Sequence, residues 1–146
     1  MRSLPCLLLL TAALAASSCG GGGGSCSGGF CDGLTFGTGV TGTGFTLAGP
    51  SDTFSLAAQG SSGQIWFRLE SATTFRTRAG RLYINYPGSP PVPYWQKDYA
   101  GLQSDGHLLL SSFRVTDKGS WDVVAYLVES SGTETRVANR ELTITE

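Results

Sequence analysis

The side chains that could carry out chemistry in this 146-residue chain are few. His107 is the only histidine, in the stretch SDGHLLL at the mouth of an apolar run. A Ser–His–Asp triad needs a defined context such as a G-x-S-x-G elbow, which the sequence lacks. One histidine and no D-x-D-x-D-G loop give no basis for a zinc or EF-hand calcium site. We therefore predict no catalytic residue, no metal site and no cofactor.

Two cysteines, Cys26 and Cys31, stand close together in the stretch CSGGFC. In an oxidising export compartment, such a pair is expected to form a disulfide. A loop this short gains little chain entropy on closure, so the disulfide would be a local clip. A redox-active pair is more typically C-x-x-C at the start of a helix, which this spacing does not match.

The first eighteen residues have the three parts of a secretory signal peptide. A short basic start is followed by an apolar stretch and then by small residues. The apolar stretch is too short to span a bilayer as a mature anchor. We therefore assign residues 1–18 to a signal peptide.

Cys19 follows Ala16, Ser17 and Ser18 directly after the apolar run. This AASSC arrangement resembles the lipobox of bacterial lipoproteins, although Ala16 stands where that family more often has Leu. The resemblance implies cleavage before Cys19, diacylglycerol on its sulfur and anchoring in the membrane. Because Gly20 and not Asp follows the cysteine, it also implies export to the outer membrane. The alternative is an ordinary signal peptide cleaved near a cysteine.

Glycine is concentrated just after this cysteine. Of the 21 glycines, 13 lie between residues 20 and 49. Glycine runs cannot pack and lose much entropy when they are ordered. We therefore predict that residues 19–44 form a flexible tether that carries the lipidated Cys19 and the small disulfide loop.

The charge of the mature chain argues against electrostatic binding to nucleic acid or to anionic lipid. Removal of Arg2 leaves nine basic against eleven acidic side chains. This balance gives no electrostatic footprint for nucleic acid or anionic lipid.

From Phe45 onward the composition and the residue pattern are typical of an all-β domain. Short β-branched and aromatic runs alternate with Gly, Ser, Asp and Pro turns, and no segment keeps a helical apolar period. Seven or eight such strands in about 100 residues indicate a sandwich or barrel. The candidate strands are 45–48, 53–58, 64–70, 74–78, 81–86, 107–115, 120–129 and 135–145.

One stretch, LLLSSFRVTDKGSWDV, sharpens this prediction. It resembles the E-to-F strand signature of immunoglobulin-like domains, which implies an antiparallel β-sandwich over residues 45–146. In that pattern Asp117 and Gly119 form the turn, while Leu108 and Leu110 face the core. The next strand would have an inner face of Trp121, Val123, Ala125 and Leu127.

The match departs from the family at two positions. Trp121 stands at the tyrosine position, where an indole N–H could replace the phenolic bond. Val123 stands where antibody domains have a cysteine, so there is no inter-sheet disulfide. The family pattern further implies an ion pair between Asp117 and an arginine at the start of strand D, with Arg81 the first candidate and Arg78 the second.

The stretch QIWFRLE would be strand C of this sandwich. Its alternation favours Ile65, Phe67 and Leu69 inside, with Trp66 outside. An inward Trp66 is the alternative that is closer to the family.

The stretch YPGSPPVPYWQKDY is the one that the sequence marks for binding. It holds four of the six prolines, so it should be a loop or a sheet edge. Tyrosine and tryptophan carry much interface energy. The candidate binding residues are Tyr86, Tyr94, Trp95 and Tyr99. The same rings could instead fold back and cap the open end of the sandwich.

These observations predict a non-catalytic, lipid-anchored protein of the bacterial cell envelope. Its sandwich would bind another envelope or extracellular protein. The alternative is a carbohydrate- or peptidoglycan-binding module that uses the aromatic stretch 86–99.

Overall fold

A computed structural model describes residues 26–57, 64–88, 90–100 and 104–146. The predicted signal peptide, Cys19 and the glycine run up to residue 24 lie outside the described residues. Within these ranges no helix is long and apolar enough to cross a bilayer.

The described residues form thirteen strands. In chain order they are β1 Cys26–Ser27, β2 Phe30–Cys31, β3 Gly33–Gly37, β4 Gly39–Thr41, β5 Thr46–Ala48, β6 Thr53–Ser55, β7 Ile65–Glu70, β8 Ala79–Tyr86, β9 Val92–Tyr99, β10 Ser104–Asp105, β11 Leu108–Phe113, β12 Gly119–Val128 and β13 Glu134–Thr145.

Two main sheets build the fold. One has the strand order β10-β11-β7-β3 and the other β6-β13-β12-β8-β9. Strand β6 runs parallel to β13, and the other pairings in these two sheets are antiparallel. In immunoglobulin lettering the first sheet is D-E-B-A and the second contains G-F-C, with β9 added at the C edge. The predicted all-β, immunoglobulin-like sandwich is confirmed.

Strand β7, the stretch IWFRLE, confirms the predicted faces but not the predicted strand position. Ile65, Phe67 and Leu69 are fully buried, and Trp66 is half-buried on the opposite face. The strand pairs with β3 and β11, so it is strand B and not strand C. The alternation of a strand reveals which residues point inward but not which sheet the strand joins.

The sandwich begins earlier in the chain than predicted. Strand β3 pairs with β7 along its whole length, and its Leu34 and Phe36 are buried in the core. The predicted boundary between a tether ending at residue 44 and a domain starting at residue 45 is therefore wrong. The high glycine content of this stretch hid β3 in the sequence. Two large apolar side chains two residues apart are nevertheless enough to give a strand an inner face.

The E-to-F signature predicted the core-facing residues correctly on one of its two strands and incorrectly on the other. On β12 all four predicted inner residues are buried. On β11, Leu109 and Phe113 belong to the central core. Leu108 is half-buried, and Leu110 is buried but is not part of that core cluster. Three successive leucines carry no alternation, so the sequence does not show which of them points inward.

Two further predictions about strands are wrong. Residues 74–78 form a turn, where Arg78 N–H donates to the Phe75 carbonyl at 3.1 Å. The proline-rich stretch contains the eight-residue strand β9, which no candidate strand covered.

Candidate functional site

The aromatic stretch Tyr86–Tyr99 is a hairpin arm at the edge of the five-stranded sheet. Strand β9 pairs antiparallel with β8, from Gly80 opposite Tyr99 to Tyr86 opposite Val92. The predicted sheet edge is thus correct, and the alternative of a loop is wrong for residues 92–99. An edge strand tolerates proline because one side of its backbone has no ladder partner.

A β-bulge places two neighbouring rings on the core side of β9. Ile84 pairs with Trp95 and Asn85 pairs with Pro93, so Tyr94 is an extra residue in the register. A bulge re-aims side chains that strict alternation would send to opposite faces. Tyr94 and Trp95 accordingly both pack against the core, although they are adjacent in sequence.

These rings form a continuous cluster with the end of the core. The Tyr94 ring centroid lies 4.5 Å from that of Trp121, and the Tyr86 centroid lies 4.7 Å from Trp121 and 5.6 Å from Tyr94. Trp95 contacts Phe113, with centroids 6.2 Å apart. The three rings of Tyr86, Tyr94 and Trp121 therefore pack against one another.

Tyr99 is buried at the other end of β9. Its hydroxyl donates a hydrogen bond to the Ser112 carbonyl at 3.0 Å, and its ring lies 4.9 Å from that of Phe67. Burial raises the pKa of Tyr99 well above its usual value. Of the four candidate binding residues, Tyr94, Trp95 and Tyr99 therefore cap or fill the sandwich, and Tyr86 is exposed.

The exposed surface at the turn end of this arm is apolar and uncharged, whereas the exposed Lys97 and Asp98 lie further along β9. Tyr86 and Val92 face each other across the two strands, with 46% and 60% of their surface exposed. The described residues between them, and Pro93 beside Val92, are also exposed and carry no charge. We call this surface the hairpin tip; its described members are Tyr86, Pro87, Gly88, Pro90, Pro91, Val92 and Pro93.

Asp117 has a different partner from the one expected. The Tyr94 hydroxyl donates a 2.5 Å hydrogen bond to Asp117 Oδ2 and lies 3.0 Å from Thr116 Oγ1. The hydrogen bond to Asp117 raises the pKa of Tyr94 above its usual value. The predicted ion pair of Asp117 with Arg81 or Arg78 is wrong.

Both arginines are engaged elsewhere. Arg81, on β8, holds Asp98 with two hydrogen bonds of 2.5 and 2.8 Å and reaches Glu134 at 2.5 Å. Arg78 pairs with Glu129. The Arg81 guanidinium lowers the pKa of Asp98. Since β8 is strand C and not strand D, Arg81 lies on the outer face of the sheet, away from the Asp117 turn.

Trp121 and Gly119 occupy the tyrosine corner of the fold. Trp121 is only 2% exposed, and its indole N–H is buried without a hydrogen-bond partner among the described residues. The expectation that this N–H replaces the phenolic bond is therefore wrong, and the hydroxyl near this turn comes from Tyr94 instead. Gly119 has φ +146°, and the Trp121 ring lies against it.

The disulfide between Cys26 and Cys31 is present, as predicted. The hairpin that it closes, residues 26–31, is called the clip here. The clip lies against the sandwich: the Phe30 ring stacks on His107 at 4.3 Å, and Cys31 N–H donates to Glu70 Oε1 at 3.0 Å. Asp32, the next residue, accepts from Ala72 N–H at 2.8 Å.

His107 is part of this contact. Its Nδ1 lies 2.9 Å from the Ser71 carbonyl, which can only accept, so Nδ1 carries the proton. In the part of the chain that the structure describes, no three His, Cys, Asp or Glu side chains are grouped as a metal site would require.

The comparisons with known proteins show no family for this chain. No family model matches the chain, and no curated protein matches it. Among solved structures, the soluble domain of PmoD from Methylocystis sp. ATCC 49242 aligns with 82% of this chain and 97% of its own. The sequence identity is 11% and the TM-score is 0.44.

Proposed function

We propose that this chain is a non-catalytic, lipid-anchored protein of the bacterial cell envelope that binds another protein through the hairpin tip. The anchor in this proposal is Cys19, whose AASSC setting resembles a lipobox. The lipidated cysteine would hold the protein at the membrane. In bacteria that sort lipoproteins by the residue after the cysteine, here Gly20, the protein would reach the outer membrane.

The observation that carries the proposal is the chemistry of the hairpin tip. Large exposed apolar side chains are Val40, Leu56, Tyr86 and Val92 among the described residues. Two of these four, Tyr86 and Val92, are cross-strand partners. Contiguous exposed apolar surface is typical of interaction sites.

The tip is also rigid, which lowers the cost of binding. Proline fixes φ and therefore leaves little backbone entropy to lose. Tyr86 is held from behind by Trp121 and Tyr94. A pre-ordered apolar surface with a tyrosine at its base suits a hydrophobic pocket on a protein partner.

A glycan-binding role receives less support from this geometry. A sugar platform needs a flat exposed ring beside hydrogen-bonding groups, and the sequence offered Tyr94, Trp95 and Tyr99 for it. Trp95 packs against the core and Tyr99 is 7% exposed. Tyr86 alone is exposed, and the described residues around it in the tip are proline, glycine and valine.

Site-specific photo-cross-linking in the producing cells tests the proposal. A photoreactive residue at Val92 should give a discrete adduct with one envelope protein. The matched control is the same residue at Thr133, which is exposed in the turn between β12 and β13. Adducts of equal yield and identity from both positions would contradict binding through the tip.

A further inference from the structure

The clip and the hairpin tip lie at opposite ends of the sandwich. The clip contacts Glu70, which pairs with Leu108 and Gly33. Gly80, near the start of β8, lies against Leu69 and Leu109 at the same end. Strand β8 then runs six residues to Tyr86, which at about 3.3 Å per residue carries the tip roughly 20 Å away.

Attachment of the clip shortens the chain that links the sandwich to Cys19. Seven peptide units separate Cys19 from Cys26, and at about 3.5 Å each they span at most about 25 Å. If the clip were detached, the path would continue through the disulfide to Gly33, and its reach would grow to about 35 Å.

We infer that the attached clip orients the sandwich, so that the hairpin tip points away from the lipid bilayer and meets its partner there. This inference rests on the proposed anchoring at Cys19. With the clip end next to the bilayer, Cys26 lies close to Cys19, far within the maximum span of about 25 Å. With the tip at the bilayer, Cys26 would be held about 20 Å above it, close to that maximum, and a chain held near full extension loses much of its conformational entropy.

An uncharged apolar tip has two candidate occupants, a membrane and a protein. Such a surface could insert into the membrane or bind a protein. Two contacts hold the clip at the other end, the Phe30–His107 stack and the hydrogen bond from Cys31 N–H to Glu70. The next residue, Asp32, adds a third by accepting from Ala72 N–H. The occupant of the tip is therefore a protein beyond the bilayer, not the bilayer that holds the anchor.

The test uses the lipidated full-length mature protein on phosphatidylcholine vesicles whose headgroups carry a fluorescence quencher. A fluorophore is attached to a single introduced thiol, either Val92→Cys in the tip or Thr133→Cys. Thr133 lies in the turn that follows the end of β12. That strand ends at Val128, which pairs with Ala79 at the start of β8, so Thr133 reports on the clip end of the sandwich. We expect quenching at position 133 to exceed quenching at position 92 several-fold.

A second variant tests the role of the clip itself. Phe30→Ala combined with Asp32→Ala removes the stack and one hydrogen bond while the disulfide remains. Quenching at the two positions should then become more nearly equal. Equal quenching before the substitution, or stronger quenching at position 92, would overturn the inference, and so would an unchanged difference in the variant. Failure of the protein to float with the vesicles would instead remove the lipid anchor on which both proposals rest.

Discussion

The Tyr94 hydroxyl donates a 2.5 Å hydrogen bond to Asp117 Oδ2 and so joins the edge strand β9 to the turn before β12. In the immunoglobulin pattern a tyrosine two residues before the usual cysteine ties down this corner. Here Trp121 fills that position with its ring, and a tyrosine from another strand supplies a hydroxyl beside the turn. The same contact fixes the base of the hairpin tip, because Tyr94 also lies against Tyr86.

The first prediction concerns this contact. Tyr94→Phe removes the hydroxyl and keeps the ring, so the free energy of unfolding should fall by about 1 kcal/mol, since the bond is partly exposed. That loss corresponds to a decrease in melting temperature of about 3–6 °C for a domain of this size. Asp117→Ala should cost about 1–3 kcal/mol.

A double-mutant cycle decides whether the two side chains act on each other. The double variant should be less destabilised than the two single effects together, because the hydrogen bond can be lost only once. Strictly additive melting shifts would contradict a direct contact between Tyr94 and Asp117.

The second prediction concerns alkaline pH. The pKa values of Tyr83, Tyr94 and Tyr99 are raised, by hydrogen bonds to Glu134 and Asp117 and by burial respectively. Folding therefore favours the protonated phenols. Their contribution is fully present below the unfolded pKa, about 10, and is lost as pH rises above it, by at most about 1.4 kcal/mol per pH unit for each tyrosine.

Urea titrations between neutral and alkaline pH measure this effect. Tyr99→Phe should make the alkaline decline shallower, since it removes the buried ionisable group while keeping the ring. If the decline has the same slope in wild type and variant, Tyr99 is not a buried protonated phenol.

The third prediction concerns the start of the folded domain. Because Leu34 and Phe36 lie in the core, a chain that begins at Phe45 should not unfold cooperatively, whereas one that begins at Cys26 should. Phe36→Ala in the longer chain should cost about 3–5 kcal/mol. Thermal melts followed by circular dichroism compare the three. Equal melting temperatures of the two truncated chains would contradict a structural role for β3.

The sequence predicted best what depends on strict alternation. On β7 and β12, apolar residues recur at every second position, and this pattern identified both inner faces. The signature around Asp117 and Gly119 predicted the β-sandwich because it combines a turn with two core strands. It could not identify the partner of Asp117, since that depends on which strand lies beside the turn in space.

The aromatic arm was harder to predict, for physical reasons that are local. The prolines predicted a loop or a sheet edge without deciding between them, and β9 is an edge strand that needs a ladder on one side only. The bulge at Tyr94 turns two adjacent rings inward. A bulge leaves no periodic pattern in the sequence, so it could not be predicted. The exposed pair Tyr86 and Val92 became visible only once their cross-strand register was known.

The most direct test of the account is metabolic labelling with a tagged fatty acid, followed by membrane fractionation of wild type and Cys19→Ser. The account predicts that the wild-type protein carries the label and fractionates with the envelope, and that the variant carries none. An unlabelled wild-type protein in the medium would contradict the lipid anchor, and with it both the tethered binding function and the outward orientation of the hairpin tip.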